Sequence, residues 1–438
     1  MATRAPRPQH AVARPGWVLR ALKNPLYSSS YALLTNTAGT TIVGVAYWAV
    51  AAHLYTRQEV GRSSAIISAL ILLSNFAQLN MVNTLPRFVP TVGRSAGRLI
   101  AYSYGASAIG ALAGALAFVA VLPRISSQWH FLGDSPALTL AFVAGAVVWG
   151  VFALQDAALL SLRHPVMVPA ENFVYGACKL LLLFLLALCS PSAGIFFSWV
   201  IPLAVTVPGV NWLIFRRYLK IRVPAQALNK VHAREVLRYA SVDYLGSVLG
   251  QAYGNLLPLL VLSILGPALN GFFYIAWTIA SGLGLVAGNF SAALLIEGTA
   301  APNRLAELTR GMLARCVIVT TFGALLIFFA AHPILDVYGA GYAGHAASLL
   351  GLLALGAVPN SVVVVSFSLD RIAGRVGRAG LIRLALTLLV LGGSWVLVKR
   401  IGIDGVAFAW GGANTVVALA RARMIMLTAR RRPSEPMA

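Results

Sequence analysis

The chain has 438 residues, 59% hydrophobic and 11% charged, with a mean hydropathy of +0.79. Soluble domains carry about 25% charged residues, so this composition excludes an ordinary soluble enzyme and points to an integral membrane protein. The net charge of +22 would suit nucleic acid, but its distribution assigns it to membrane topology and no nucleic-acid partner is expected.

Residues 1–30 are basic and Pro-rich ("RAPRPQHAVARPG") and have no apolar core before Tyr31. They read as a cytoplasmic tail rather than a signal peptide. Twelve apolar stretches follow, at 31–51, 64–84, 99–122, 137–160, 166–189, 195–215, 241–264, 270–295, 311–331, 346–368, 379–398 and 404–425. Most have the ~20 residues a helix needs to cross the hydrocarbon. Arg57, Arg62, Arg124, Lys399 and Arg400 fall in the loops of one side, and Lys179 lies inside a span. The other basic residues gather toward the side that holds both termini. This bias places both termini in the cytoplasm, with an attraction to anionic membrane lipids; a bacterial inner membrane is the expected location.

The longest polar interruption, residues 215–240, divides the spans six and six. The expected organisation is a tail at 1–30, a six-helix lobe at 31–216, a basic linker at 217–240, a second lobe at 241–426 and a tail at 427–438. The second half of the linker, "NKVHAREVLRYA", reads either as an amphipathic surface helix or as a plain connection.

The halves match at nearly one offset, 210 residues for the single positions and 211 for the last motif. Gly61 falls on Gly271, Arg87 on Glu297 and Pro123 on Pro333; "GIFFSW" from Gly194 answers "GVAFAW" from Gly405. Six spans is an even number, so both copies insert with the same orientation. The expected fold is an all-α polytopic membrane protein of two six-helix lobes in a parallel pseudo-repeat, with a central cavity between them, as in many transporters.

Catalytic patterns are missing. There is no paired-carboxylate motif, no GxxxxGK[ST] phosphate loop, no metal-ligand spacing among the seven histidines, and no sizeable loop between spans on the side away from the termini. No enzymatic activity and no cofactor are expected, beyond coupling to a proton or sodium gradient. Cys178, Cys189 and Cys316 have no CxxC spacing and read as buried small hydrophobes.

The informative residues are the ionisable ones inside spans. Lys179 lies mid-span, roughly 15–20 Å from either surface, where an ionised side chain is costly unless it is paired or faces a wet cavity. It is either half of a buried ion pair or a cationic contact for an anionic substrate. Asp156 and Glu171 lie at similar depths nearer the end that holds the termini. They could share a proton and couple transport, or pair with Arg163 or Lys179. Asp243, Glu297 and Arg87 lie at span ends, as a gate between lobes or as interface anchors. Asn36, Asn75, Gln78, Gln251, Asn255 and Asn289 recur at equivalent places in both halves. They would line a hydrophilic cavity or join helices by hydrogen bonds.

The stretch from Tyr47 to Pro90 carries His53-Leu54-Tyr55, Glu59-Val60-Gly61 and Arg87-Phe88 with Pro90. It resembles the opening of bacterial polysaccharide flippases, and "GFFYIAWTIASGLGLVAGNFSAALLIEG" (Gly271 to Gly298) resembles their eighth span. These are the Wzx-like members of the MOP superfamily, which also includes multidrug exporters. The resemblance implies alternating access of two lobes and a polyprenyl-pyrophosphate-linked oligosaccharide as cargo. It also implies a glycan polymerase or glycosyltransferases as partners. A cation-coupled small-molecule exporter of the same superfamily is the alternative. Flippases use basic cavity residues for the pyrophosphate, and here that role would fall on Lys179.

Overall fold

A computed structural model describes residues 25–189, 193–219, 233–339 and 341–430, and the apolar stretches form helices throughout. The first six long helices are α1 Pro25–Leu54, α2 Arg57–Ala77, α3 Ala96–Ile125, α4 Pro136–Ser161, α5 Met167–Cys189 and α6 Gly194–Tyr218. The second six are α7 Ala233–Leu265, α8 Pro267–Ala300, α9 Leu305–Phe329, α10 Tyr342–Ile372, α11 Val376–Ile401 and α12 Asp404–Arg430. Among the described residues, ten helices are long and apolar enough to cross a membrane. The two others are α7, which is apolar over Ala252–Leu265, and α12, whose sequence carries charges such as Arg421. Helix also begins earlier than expected: α1 starts inside the predicted tail and α7 inside the predicted linker, while residues 220–232 lie outside the described set.

Local chemistry sets several boundaries. Thr56 caps α2 in a reciprocal capping box with Glu59, which explains the Glu in the motif before Gly61. Gly266, at φ 84°, turns the chain between α7 and α8, and Pro267 opens α8. Large apolar side chains such as Phe329, Tyr102 and Val205 remain exposed on the outside of the bundle, as expected of a surface solvated by lipid tails.

Helix contacts repeat. In the first six helices α1 packs on α5, α2 on α4, α3 on α4, and α4 on α6; six helices later α7 packs on α11, α8 on α10, α9 on α10, and α10 on α12. This is the two-lobe pseudo-repeat. Between the lobes, α2 packs along both α7 and α8. The seal is tightest at the beginning of α2 and α8, on the face away from the termini. There the Asn270 amide donates to the Gly61 carbonyl at 2.7 Å, and the Trp129 indole donates to Ser263 at 2.9 Å. Arg57 lies 5.3 Å over the Phe272 ring. The symmetry partner of the α2–α7 seam would be α1 against α8. Among the described residues that contact is not formed to a comparable extent.

Candidate functional site

The sparsely packed α1–α8 seam borders a cavity of about 890 Å³. Its walls come from α1, α4, α5 and α6 of the first lobe and from Thr278 to Leu285 on α8 of the second. Trp48 of α1 meets Tyr274 of α8 with ring centroids 4.7 Å apart, which closes the cavity toward the sealed face.

Lys179 lines this cavity from the middle of α5. Its Nζ lies 4.2 Å from the Trp199 ring centroid, 4.5 Å from Tyr47 and 5.5 Å from Tyr175. Arg304 pairs with Glu307 and Arg421 with Asp370, but no described carboxylate neutralises Lys179. Three aromatic faces do so instead. Tyr175 is four residues before Lys179 and shares its helix face. Tyr47 arrives from α1, which approaches closely because Gly176 leaves room: a Cβ there would meet Val43 at 2.9 Å. The box is held by hydrogen bonds. The Tyr47 hydroxyl donates to the Ile195 carbonyl at 2.9 Å, and the Tyr175 hydroxyl donates to the Trp199 carbonyl at 3.1 Å. Trp149 stacks behind Trp199 at 5.3 Å.

Two acids accompany this box. Asp156 of α4 lines the cavity, and both of its carboxylate oxygens accept from the Asn172 amide at 3.3 Å. Glu171 is 4% exposed, and neither carboxyl oxygen has a hydrogen-bond partner. It does not line the cavity.

No family model and no curated protein sequence matches the chain. Solved structures do. An inward-facing multidrug resistance MATE family transporter of the MOP superfamily matches with TM-score 0.68 and 15% identity, over 89% of this chain and 94% of that one. This is the MATE transporter fold. An outward-facing structure with the same description matches at 0.63 and 15%, over 96% and 100%. A Vibrio cholerae MATE transporter matches at 0.56 and 14%, over 96% and 98%. At 14–15% identity the likeness shows the fold, and the ten long apolar helices among the described residues suit a multi-pass membrane protein.

The remaining predicted residues divide. Asn36 lines the cavity, with its Oδ1 buried and unpartnered. Asn75, Gln78 and Asn255 lie outside the lining; Gln78 is buried, and Asn75 and Asn255 have partners of their own. The side chains of Gln251 and Asp243 lie outside those described. Arg87 and Glu297 are exposed at helix ends. The cysteine expectation is corrected: Cys178 and Cys189 are exposed on the bundle surface, and only Cys316 is buried. A small thiol is tolerated on a surface solvated by lipid tails as readily as in a core.

Sequence reasoning missed the aromatic box and also a buried ion pair in the second lobe. Arg421 of α12 donates to Asp370 of α10 at 2.5 Å and to the Ser366 carbonyl at 3.0 Å. Lys179 is therefore not the lone cation inside the bundle. A smaller chamber of about 210 Å³ nearby is lined by Tyr253, Ser291, Asn360 and Arg383. At the offset relating Gly61 to Gly271, Lys179 falls on Leu389, so the lobes differ in charge where they correspond in fold.

Proposed function

We propose that the chain is a cation-coupled exporter of small amphipathic molecules, like the multidrug transporters its fold resembles, with the cavity around Lys179 as the cargo site. The face bearing the termini is cytoplasmic, in a bacterial inner membrane. The observation that carries this reading is a one-sided cavity walled mainly by the first lobe, with Asp156 on its wall and Glu171 buried behind. A carboxylate with no donor is costly in a low-dielectric interior, and a bound proton or sodium ion relieves that cost. The test is flux in proteoliposomes with an imposed proton or sodium gradient, comparing wild type with Glu171→Gln. Gradient-driven accumulation of a fluorescent amphiphile in wild type, lost in the variant, supports the reading. Accumulation indifferent to both gradients overturns the coupling.

A second reading is a flippase for polyprenyl-pyrophosphate-linked oligosaccharide in cell-surface polysaccharide biosynthesis, acting beside a glycan polymerase or glycosyltransferases. The sparsely packed α1–α8 seam favours it, because a lipid tail could stay in the bilayer while its headgroup enters. Cells depleted of the protein would then accumulate polyprenyl-linked glycan beyond the reach of an impermeant glycosidase. Unchanged glycan distribution removes this reading and leaves the first.

A further inference from the structure

An aromatic box of Trp and Tyr faces is a recognition site for organic cations. In this protein the box formed by Tyr47, Tyr175 and Trp199 is already filled, by a side chain of the protein itself. We propose that Lys179 is the charge-selectivity determinant of the cavity. As the tethered occupant of the box it excludes organic cations, and on its cavity side it accepts the acidic group of an amphiphile. The inference rests on the cavity being the cargo site, and it names the class of cargo.

The geometry supports each half. The three rings are fixed before any ligand arrives. Tyr47 and Tyr175 are bonded to carbonyls of α6, and Trp199 is backed by Trp149. A preorganised box loses little entropy on binding its cation. Lys179 reaches it from its own helix, so a free cation must compete with an intramolecular one. The rings cover Nζ on their sides, and Lys179 still lines the cavity. Its charge is thus open toward the cargo space and unmatched by any described carboxylate. Asp156, the acid of the same cavity, is engaged by the Asn172 amide. The rest of the wall is largely apolar, with Phe152, Val43 and Leu285 suited to the body of an amphiphile. The second lobe has Leu389 at the corresponding position, so it carries no duplicate of this selectivity.

Tetraphenylborate and tetraphenylphosphonium have nearly the same size and shape and opposite charge, and they isolate the sign. Binding of each to the purified full chain in neutral micelles would be measured by equilibrium dialysis and corrected with empty micelles. Wild type should prefer the borate by about tenfold or more, the effect of one partly desolvated charge. Lys179→Met, which keeps most of the volume and removes the charge, should reverse the preference because a cation at the rings no longer meets a tethered positive charge. Lys179→Arg should retain it. Adding Trp199→Leu to Lys179→Met should abolish the gained phosphonium binding. A ratio unchanged in Lys179→Met, or a wild type that prefers phosphonium, overturns the proposal. Binding of neither probe by wild type would instead count against the cavity as cargo site. Displacement of bound borate by a polyprenyl phosphate, with aromatic carboxylates inert, assigns the acidic group to a lipid headgroup, and the converse assigns it to a soluble acid. Displacement by neither overturns the acidic half of the inference.

Discussion

Gly61 and Gly271 meet across the lobe interface, each in the space that a side chain on the other helix would need. A Cβ on Gly61 would overlap the Pro267 carbonyl oxygen and come within 2.8 Å of the Gly271 nitrogen; a Cβ on Gly271 would lie 2.5 Å from the Arg57 carbonyl oxygen. Pro267 bears the same relation to Gly271 as Arg57 bears to Gly61. The contact is therefore self-complementary about the pseudo-twofold axis, like an isologous dimer interface.

Gly61→Ala should break this seal. Overpacking of backbone against backbone costs about 1–3 kcal/mol, enough to shift the balance between sealed and open lobes by about tenfold. A reporter cysteine at Ser64, which is fully buried beneath the contact, reads the shift once the three native cysteines have been replaced. Maleimide labelling should be slow in the parent and at least tenfold faster with Gly61→Ala. Equal protection would show that the lobes absorb the methyl without parting.

Asp370 and Arg421, 1% and 4% exposed in side-chain terms, should behave as a buried pair. Removing one charge strands the other and costs about 3–5 kcal/mol. Thermal unfolding in detergent should therefore drop sharply for Asp370→Leu. The double variant Asp370→Leu with Arg421→Met should recover most of the loss. Equal melting of single and double variants would count against pairing as the cause.

Glu171→Gln should separate coupling from carriage. The carboxyl has no hydrogen-bond partner and no place on the cavity wall, so its removal leaves the cargo contacts intact. Exchange of cargo across proteoliposomes at equilibrium should persist. Accumulation against a concentration gradient should fall at least tenfold. Loss of both activities would make Glu171 a structural residue.

His164 lies in the turn between α4 and α5, and its ring stacks 3.9 Å from that of Tyr218. Burial, with a smaller contribution from the Arg217 charge, lowers its pKa from the usual 6.5. The folded state thus binds the proton less readily than the unfolded state. The stacking contribution is present in full above 6.5 and is lost as pH falls from there through the folded value. His164→Phe should flatten the pH dependence of the melting temperature below neutrality. A parallel acid slope in the variant would refute this.

The spans and their duplication were legible because lipid solvation imposes a long apolar run on each helix, and because Gly61 and Gly271 each need an absent side chain. Lys179 and Asp156 were legible because a charge stands out in such a run. The box around Lys179 was not. Tyr47 and Trp199 are ordinary residues of apolar spans, and they meet Lys179 only through the folding of α1 and α6 onto α5. Only Tyr175, four residues away, carried a sequence signal. Asn75, Gln78 and Asn255 look like cavity polar groups in one dimension, yet they lie off the cavity wall. Arg421 read as the end of a span, but α12 continues to Arg430, which leaves Arg421 well inside the bundle.

Glu171 lies behind the cavity wall, while Lys179, on the same helix, lines the cavity. On the proposed reading, cargo and coupling ion never contend for one volume. They would influence each other through the displacement of α5, the partition between them. Inhibition of transport by an excess of the driving ion should then lower the maximal rate and leave the apparent affinity for cargo unchanged. Two ligands that collide in one chamber would give the opposite pattern.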